Sequence, residues 1–181
     1  MGLQQKNITN LNLLGINRVS HLKIGYQKEL SRIEKNSNKD IDVLFYGLVS
    51  DRREKILNAL KDCGLNVQYF FGVYGPDKDA LIQRSKVVLN LHHYQSQIFE
   101  IIRVFYLLTN SIAVVCEVNP TTSIDNIYLD GIYPCPYDSL VESCQLLVSD
   151  SNLRSRIEQN ALKTIKQYPQ AAFLEPLLSL S

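Results

Sequence analysis

The residues in this sequence whose types and spacing best suit chemistry are Glu100 and Arg103, three positions apart in the segment FEIIR. A carboxylate there can accept hydrogen bonds from ribose hydroxyls, and a guanidinium can hold a phosphate through two parallel donors. The bland alternative is a helix-surface ion pair, which contributes only about 0.2–0.5 kcal/mol. Position favours function: the pair follows closely on a strand-like run, and open parallel sheets bind ligands beyond the carboxyl ends of their strands. Arg52 and Arg53 form a second candidate. They fall in the first turn of a helix that opens soon after Gly47, where unpaired N–H groups and the helix dipole already favour an anion. Two cations at that end are unfavourable unless a phosphate or carboxylate is close, so the pair suggests a phosphate-binding corner. Pairing with Asp51 and Glu54 is the alternative. His92 and His93 end the preceding strand at the same edge, and strand alternation sends them to opposite faces, so at most one looks into a cleft. With no cysteine or carboxylate ligand beside them, they read as polar lining. Tyr74, between Gly72 and Gly75, can stack on a base or simply pack in its turn.

The elements that must position these residues follow from hydrophobic periodicity. Ile41 to Tyr46, Val67 to Phe71, Val87 to Leu91 and Ile112 to Val115 are short, continuous apolar runs of the kind found in strands covered on both faces. Gly131 to Tyr133 reads as a last short strand, and Arg18 to Ile24 alternates well enough for an early one. Between them the spacing predicts helices: one capped by Asp51 with Glu54 three positions on and stopped at Gly64, one from Asp77 to Ser85 after Pro76, and a central one capped by Ser96. On the central helix Ile98, Ile101, Ile102, Phe105 and Leu108 should face the sheet. A helix from Ser139 to Val148, with a capping-box Glu142, and another from Asn152 to Gln167 complete the core, and Pro169 breaks the last. Alternating strands and helices predict an α/β fold, a Rossmann-like parallel sheet with helices on both faces. The boundaries are an N-terminal arm and connector over 1–40, a domain over 41–168 and an apolar C-terminal tail over 169–181 that docks on some surface.

Composition narrows the function classes. With 19 basic and 18 acidic residues the net charge is +1, so no broad field is present to hold nucleic acid or an anionic membrane. The four cysteines show neither zinc-site pairing nor the density of a disulfide scaffold. The first twenty residues form neither a signal peptide's apolar region nor a membrane span, so a soluble cytoplasmic protein is expected. A classical dinucleotide site is not indicated, because G-x-G-x-x-G is absent after the first strand; G-x-S-x-G, the P-loop and H-E-x-x-H are absent too. No metal site or cofactor is expected.

The segments VLFYGLVSDRREKILNAL, FFGVYGPDKDALIQRSKVVLNLHHYQSQIFEIIR and PYDSLVESCQLLVSD, in that order, resemble the C-terminal, donor-binding half of GT-B glycosyltransferases. Within these the chain looks nearest to the CgeB-like group, and the preceding IGYQKEL resembles their connector. The resemblance implies a nucleotide-diphosphate-sugar site, with Gly47, Arg52 and Arg53 facing the diphosphate and Glu100 the ribose or sugar; the donor is a substrate, not a cofactor. One departure stands out. Retaining members carry two glutamates separated by seven residues, whereas here His92 stands eight positions before Glu100 and Leu108 eight after it. A complete enzyme of this type has a second domain, which residues 1–40 are too short to supply. The expectation is therefore a donor-binding half completed by a partner domain, a second copy or a longer chain, and the alternative is a non-catalytic Rossmann-like interaction module.

Overall fold

The computed structural model describes residues 3–93, 99–120, 122 and 124–178, and the side chains from Asn7 onward. Five parallel strands, β1 (Ile41–Tyr46), β2 (Val67–Phe70), β3 (Ser85–Asn90), β4 (Val114–Glu117) and β5 (Tyr133–Cys135), lie in the order β2-β1-β3-β4-β5. The helices are α1 (Leu3–Leu13), α2 (Asp51–Asp62), α3 (Gly75–Gln83), α4 (Ile101–Thr109), α5 (Asn126–Leu129), α6 (Leu140–Ser149), α7 (Ser151–Lys166) and α8 (Gln170–Leu178). No helix among the described residues is long and apolar enough to cross a membrane.

The period of two along each strand divides the interior into two cores. Leu44, Val88, Val114 and Cys116 point to one face, where α4, Ile82 of α3, and Ala161 and Ile165 of α7 cover them. Val43, Phe45, Val87, Leu89 and Val115 point to the other, under Ile56, Leu57 and Leu60 of α2 and Leu140, Cys144 and Leu147 of α6. The Rossmann-like sheet with helices on both faces is therefore present, and both faces are closed to water.

Several local expectations need correction. Residues 18–24 form no strand; the early segment makes one isolated bridge, Tyr26 with Pro169, and has no regular secondary structure instead of joining a sheet edge. Ser50, not Asp51, is the N-cap of α2, and its hydroxyl donates to the His93 carbonyl (3.2 Å) without capping the helix. Ser96 and Ile98 lie outside the described residues, and the described part of the central helix begins after Glu100. That helix is not one-sided: residues 104–109 are all buried because α7 packs across the side away from the sheet, while Ile102 is 66% exposed. The fourth strand starts at Val114 because the chain leaves α4 through a left-handed turn at Ser111 (φ 58°) that uses up Ile112 and Ala113.

The first turn of α2 is tied across the sheet. Arg52 pairs bidentately with Glu117 at the end of β4, and the His92 backbone N–H donates to the same carboxylate (3.0 Å). Burial pushes the Glu117 carboxyl up, but its contacts with His92 and Arg52 outweigh that and hold it at about 2, below the ordinary 4.5.

Two outcomes follow from this packing. Leu108→Ala, at a fully buried position on α4, should lower stability by about 2–5 kcal/mol in urea unfolding; a loss under half a kilocalorie would contradict the packing of α4 between the sheet and α7. Because the folded-state Glu117 titrates below its unfolded value, it adds stability above about pH 4.5 that is lost as pH falls through about 2. Glu117→Gln should flatten that acid limb of the urea midpoint, and an unchanged limb would remove Glu117 as its source.

Candidate functional site

In the strand order β2-β1-β3-β4-β5 the connections diverge between β1 and β3, and the crevice at that switch point, beyond the strands' carboxyl ends, is where such sheets bind ligands. Three of the candidate side chains interlock there. Glu100, at the N-cap of α4, receives Arg53 on Oε1 (2.6 Å) and Arg103 on Oε2 (2.5 Å). Both guanidiniums lie over the Phe45 ring, at 5.0 and 5.6 Å from its centroid.

The two arginines have different tasks. Arg53 is 3% exposed and makes four hydrogen bonds: two to the Leu91 carbonyl, one to the Leu48 carbonyl and one to Glu100. It fastens the turn after β1 to the end of β3, so its part is to position. Burial lowers its affinity for its proton, and Glu100 opposes that shift. Arg103 donates to Asn90 Oδ1 (2.9 Å) and the Tyr46 carbonyl (2.7 Å), while its Nε has no hydrogen-bond partner among the described residues although the side chain is only 8% exposed. Gly47 makes this arrangement possible. Its φ of 135° suits glycine, and an added Cβ would stand 3.1 Å from Arg103 Nη2 and 3.6 Å from Arg53 Nη1.

Beside this cluster opens a cleft of about 420 Å³ between the start of α4 (Phe99, Glu100, Ile102, Arg103), the connector (His21–Ile24) and Asp125 with Tyr128 of the α5 region. Its walls are largely apolar, with Glu100 and Arg103 at the polar end. A broader depression of about 790 Å³ lies next to α2, lined by Ser50, Arg52, Lys55, His93 and Tyr137. Arg52 belongs there: its guanidinium sits 3.8 Å over the Tyr137 ring and is neutralised by Glu117.

The candidates thus separate. Gly47, Arg53, Glu100 and Arg103 are brought together; Arg52 joins an adjacent cluster on the same rim. His92 is 1% exposed, with Nδ1 3.6 Å from Glu117, so it is packed beneath the rim, and its neighbour His93 lines the depression; β3 stops at Asn90, so the two histidines follow the strand and do not end it. Tyr74 stands 75% exposed at the N-cap of α3 and takes no part in the network among the described residues. Sequence reasoning missed Asn90, Tyr137 and above all Glu117. The signal for Glu117 was available: a lone carboxylate closing an apolar strand at the carboxyl edge, the same logic that singled out Glu100. Among the described residues no group of three metal-ligating side chains occurs.

No family model matches the chain. An uncharacterised protein of Acanthamoeba polyphaga mimivirus is 27% identical over 185 residues, covering 96% of this chain and 60% of that protein. A second from the same virus is 28% identical over 156 residues, covering 84% of this chain and 17% of that protein. The chain therefore spans less than two thirds of the length of these curated relatives. Among solved structures, the C-terminal domain of a glycosyl transferase group 1 family protein (LpcC) from Francisella tularensis matches with TM-score 0.51 and 12% identity, over 79% of this chain and 97% of that one. A TarM variant from S. aureus, in complex with UDP, fondaparinux and alpha-GlcNAc-glycerol, matches with TM-score 0.58 and 12% identity, over 94% of this chain and 41% of that one. At such identities the likeness is one of architecture, and this chain has the Rossmann-like α/β fold of a glycosyltransferase C-terminal domain.

Proposed function

We propose that this chain is the nucleotide-diphosphate-sugar-binding unit of a glycosyltransferase, of the GT-B type and nearest its CgeB-like group. One observation carries the reading. At the switch point, two buried guanidiniums share a single carboxylate, leaving local positive charge beside a cleft with apolar walls. Uncompensated buried charge is unfavourable, and a bound diphosphate would neutralise it while the apolar walls receive the rest of the nucleotide. On this reading Arg103, which lines the cleft, contacts a phosphate; Glu100 accepts from ribose or sugar hydroxyls; Arg53 and Gly47 hold both in place. The positive charge would also stabilise the departing nucleoside diphosphate.

A complete transfer reaction needs acceptor contacts as well, which we assign to a second domain, in a longer chain, a second copy or a partner subunit. The exposed side chains of Leu48, Phe71 and Tyr74, near the carboxyl ends of β1 and β2, are the surface such a domain would cover. Use of a nucleotide-sugar donor fits the cytoplasm. A non-catalytic interaction module is the second reading, favoured by the pairing of Arg52 with Glu117, which leaves that arginine already neutralised.

Isothermal titration with UDP, GDP and their sugars separates the two. The donor-site reading expects saturable binding that weakens by about tenfold to a hundredfold in Arg103→Ala, the range for a lost charge-assisted hydrogen bond. Glu100→Gln should distinguish the sugar conjugates from the free nucleotide less well. Absence of binding at millimolar ligand, or equal binding by folded Arg103→Ala, would favour the interaction module.

A further inference from the structure

One wall of the 420 Å³ cleft is not held by the sheet. His21, Leu22, Lys23 and Ile24 form it, and they lie in a segment without regular secondary structure. Their backbone is fixed from the opposite end of the sequence. Gln170, the first residue of α8, uses both ends of its amide: Oε1 accepts from the Gly25 N–H (2.7 Å) and Nε2 donates to the Lys23 carbonyl (3.2 Å). The seam continues in backbone bonds from Tyr26 N–H to the Tyr168 carbonyl (2.7 Å) and from Gln170 N–H to the Tyr26 carbonyl (3.0 Å). Gly25 is glycine for a packing reason, since an added Cβ would collide with the Tyr168 carbonyl and come within 2.9 Å of the Phe173 ring. Towards the cleft, the Tyr128 hydroxyl donates to the Ile24 carbonyl (2.6 Å) and Lys23 pairs with Asp125 (2.7 Å).

We infer that Gln170 is a positioning residue for the cleft: it lies outside the lining yet sets the cleft's width by fixing the connector wall against the α4 wall. The inference rests on the nucleotide-sugar reading of that cleft. The α4 wall is anchored in the first hydrophobic core, whereas the connector wall meets that core through Ile24 alone and is otherwise held by polar contacts, of which the Gln170 amide makes two. A wall free to move must be ordered when ligand binds, and that entropy is subtracted from affinity.

The test is titration of UDP into the full chain and into Gln170→Ala, with thermal midpoints and amide exchange at Gly25 and Tyr26 recorded for both. Loss of two ordinary hydrogen bonds at the wall should weaken binding by about tenfold. Exchange should quicken around Gly25 alone, and the midpoint should hold. Gln170→Glu keeps the acceptor for Gly25 but loses the donor to Lys23, and should fall between. Equal affinity in wild type and Gln170→Ala overturns the inference, as does a loss of affinity that merely follows a general fall in midpoint and a general rise in exchange. Should wild type bind none of UDP, GDP and their sugars, the donor-site reading falls, and exchange decides the positioning role by itself: selective acceleration near Gly25 upholds it, unchanged rates overturn it.

Discussion

The rim of this sheet depends on one carboxylate shared between two guanidiniums. Glu100 joins Arg53, which grips the turn after β1 and the end of β3, to Arg103, which grips the ends of β1 and β3 from the other side. Two cations and one anion under a hydrophobic roof would be unstable if those charges had only each other. The parallel sheet supplies the remainder: where strands end, carbonyl groups such as those of Tyr46 and Leu91 have left the ladder and still need donors, and the arginines provide them. Phe45 beneath both guanidiniums adds a ring face on which they can rest. The same groups that terminate two strands therefore fix the geometry of the crevice above them.

How far this was legible in the sequence depends on range. Continuous apolar runs placed four of the five strands to within a few residues, because a strand buried on both faces leaves that pattern whatever its neighbours are. Gly47 and the two arginines after it marked the turn, and the carboxyl-edge rule brought Glu100 and Arg103 to the same place. The identity of each arginine's partner was not legible. Arg52 and Glu117 are separated by 65 residues, and only the pairing of β3 with β4 makes them neighbours. Sequence proximity suggested Asp51 and Glu54 as the arginines' partners, while tertiary structure supplied Glu117 and Glu100. Capping fared similarly: Ser50 has the side chain of a cap, yet its hydroxyl goes to the carbonyl of His93, a contact that exists only after β1 and β3 are side by side.

The early segment was misread for a physical reason. Residues 18–24 have an alternating pattern, but alternation records only that one side is covered, not that a strand does the covering. Here the partners are Tyr128 and Gln170, which supply single donors and acceptors where a ladder would have supplied a row. A separation of 147 residues between Lys23 and Gln170 leaves no local trace.

The chain's nearly balanced net charge of +1 also conceals how its charge is arranged. Several of the described cations sit in pairs that cancel: Arg84 with Asp40, Lys86 with Asp42, Lys39 with Glu158, Lys23 with Asp125 and Arg52 with Glu117. At Glu100 the count does not cancel, since one carboxylate faces two arginines. Burial of the two guanidiniums magnifies that imbalance, because the effective dielectric around them is lower than at the surface. An anion approaching the molecule would meet little net attraction from a distance, and selection would act only at the crevice. Binding of that kind depends on the shape of the walls around the charge as much as on the charge itself, so under the proposed donor-site reading the crevice would favour a diphosphate carrying an apolar or aromatic group over a bare anion of equal charge.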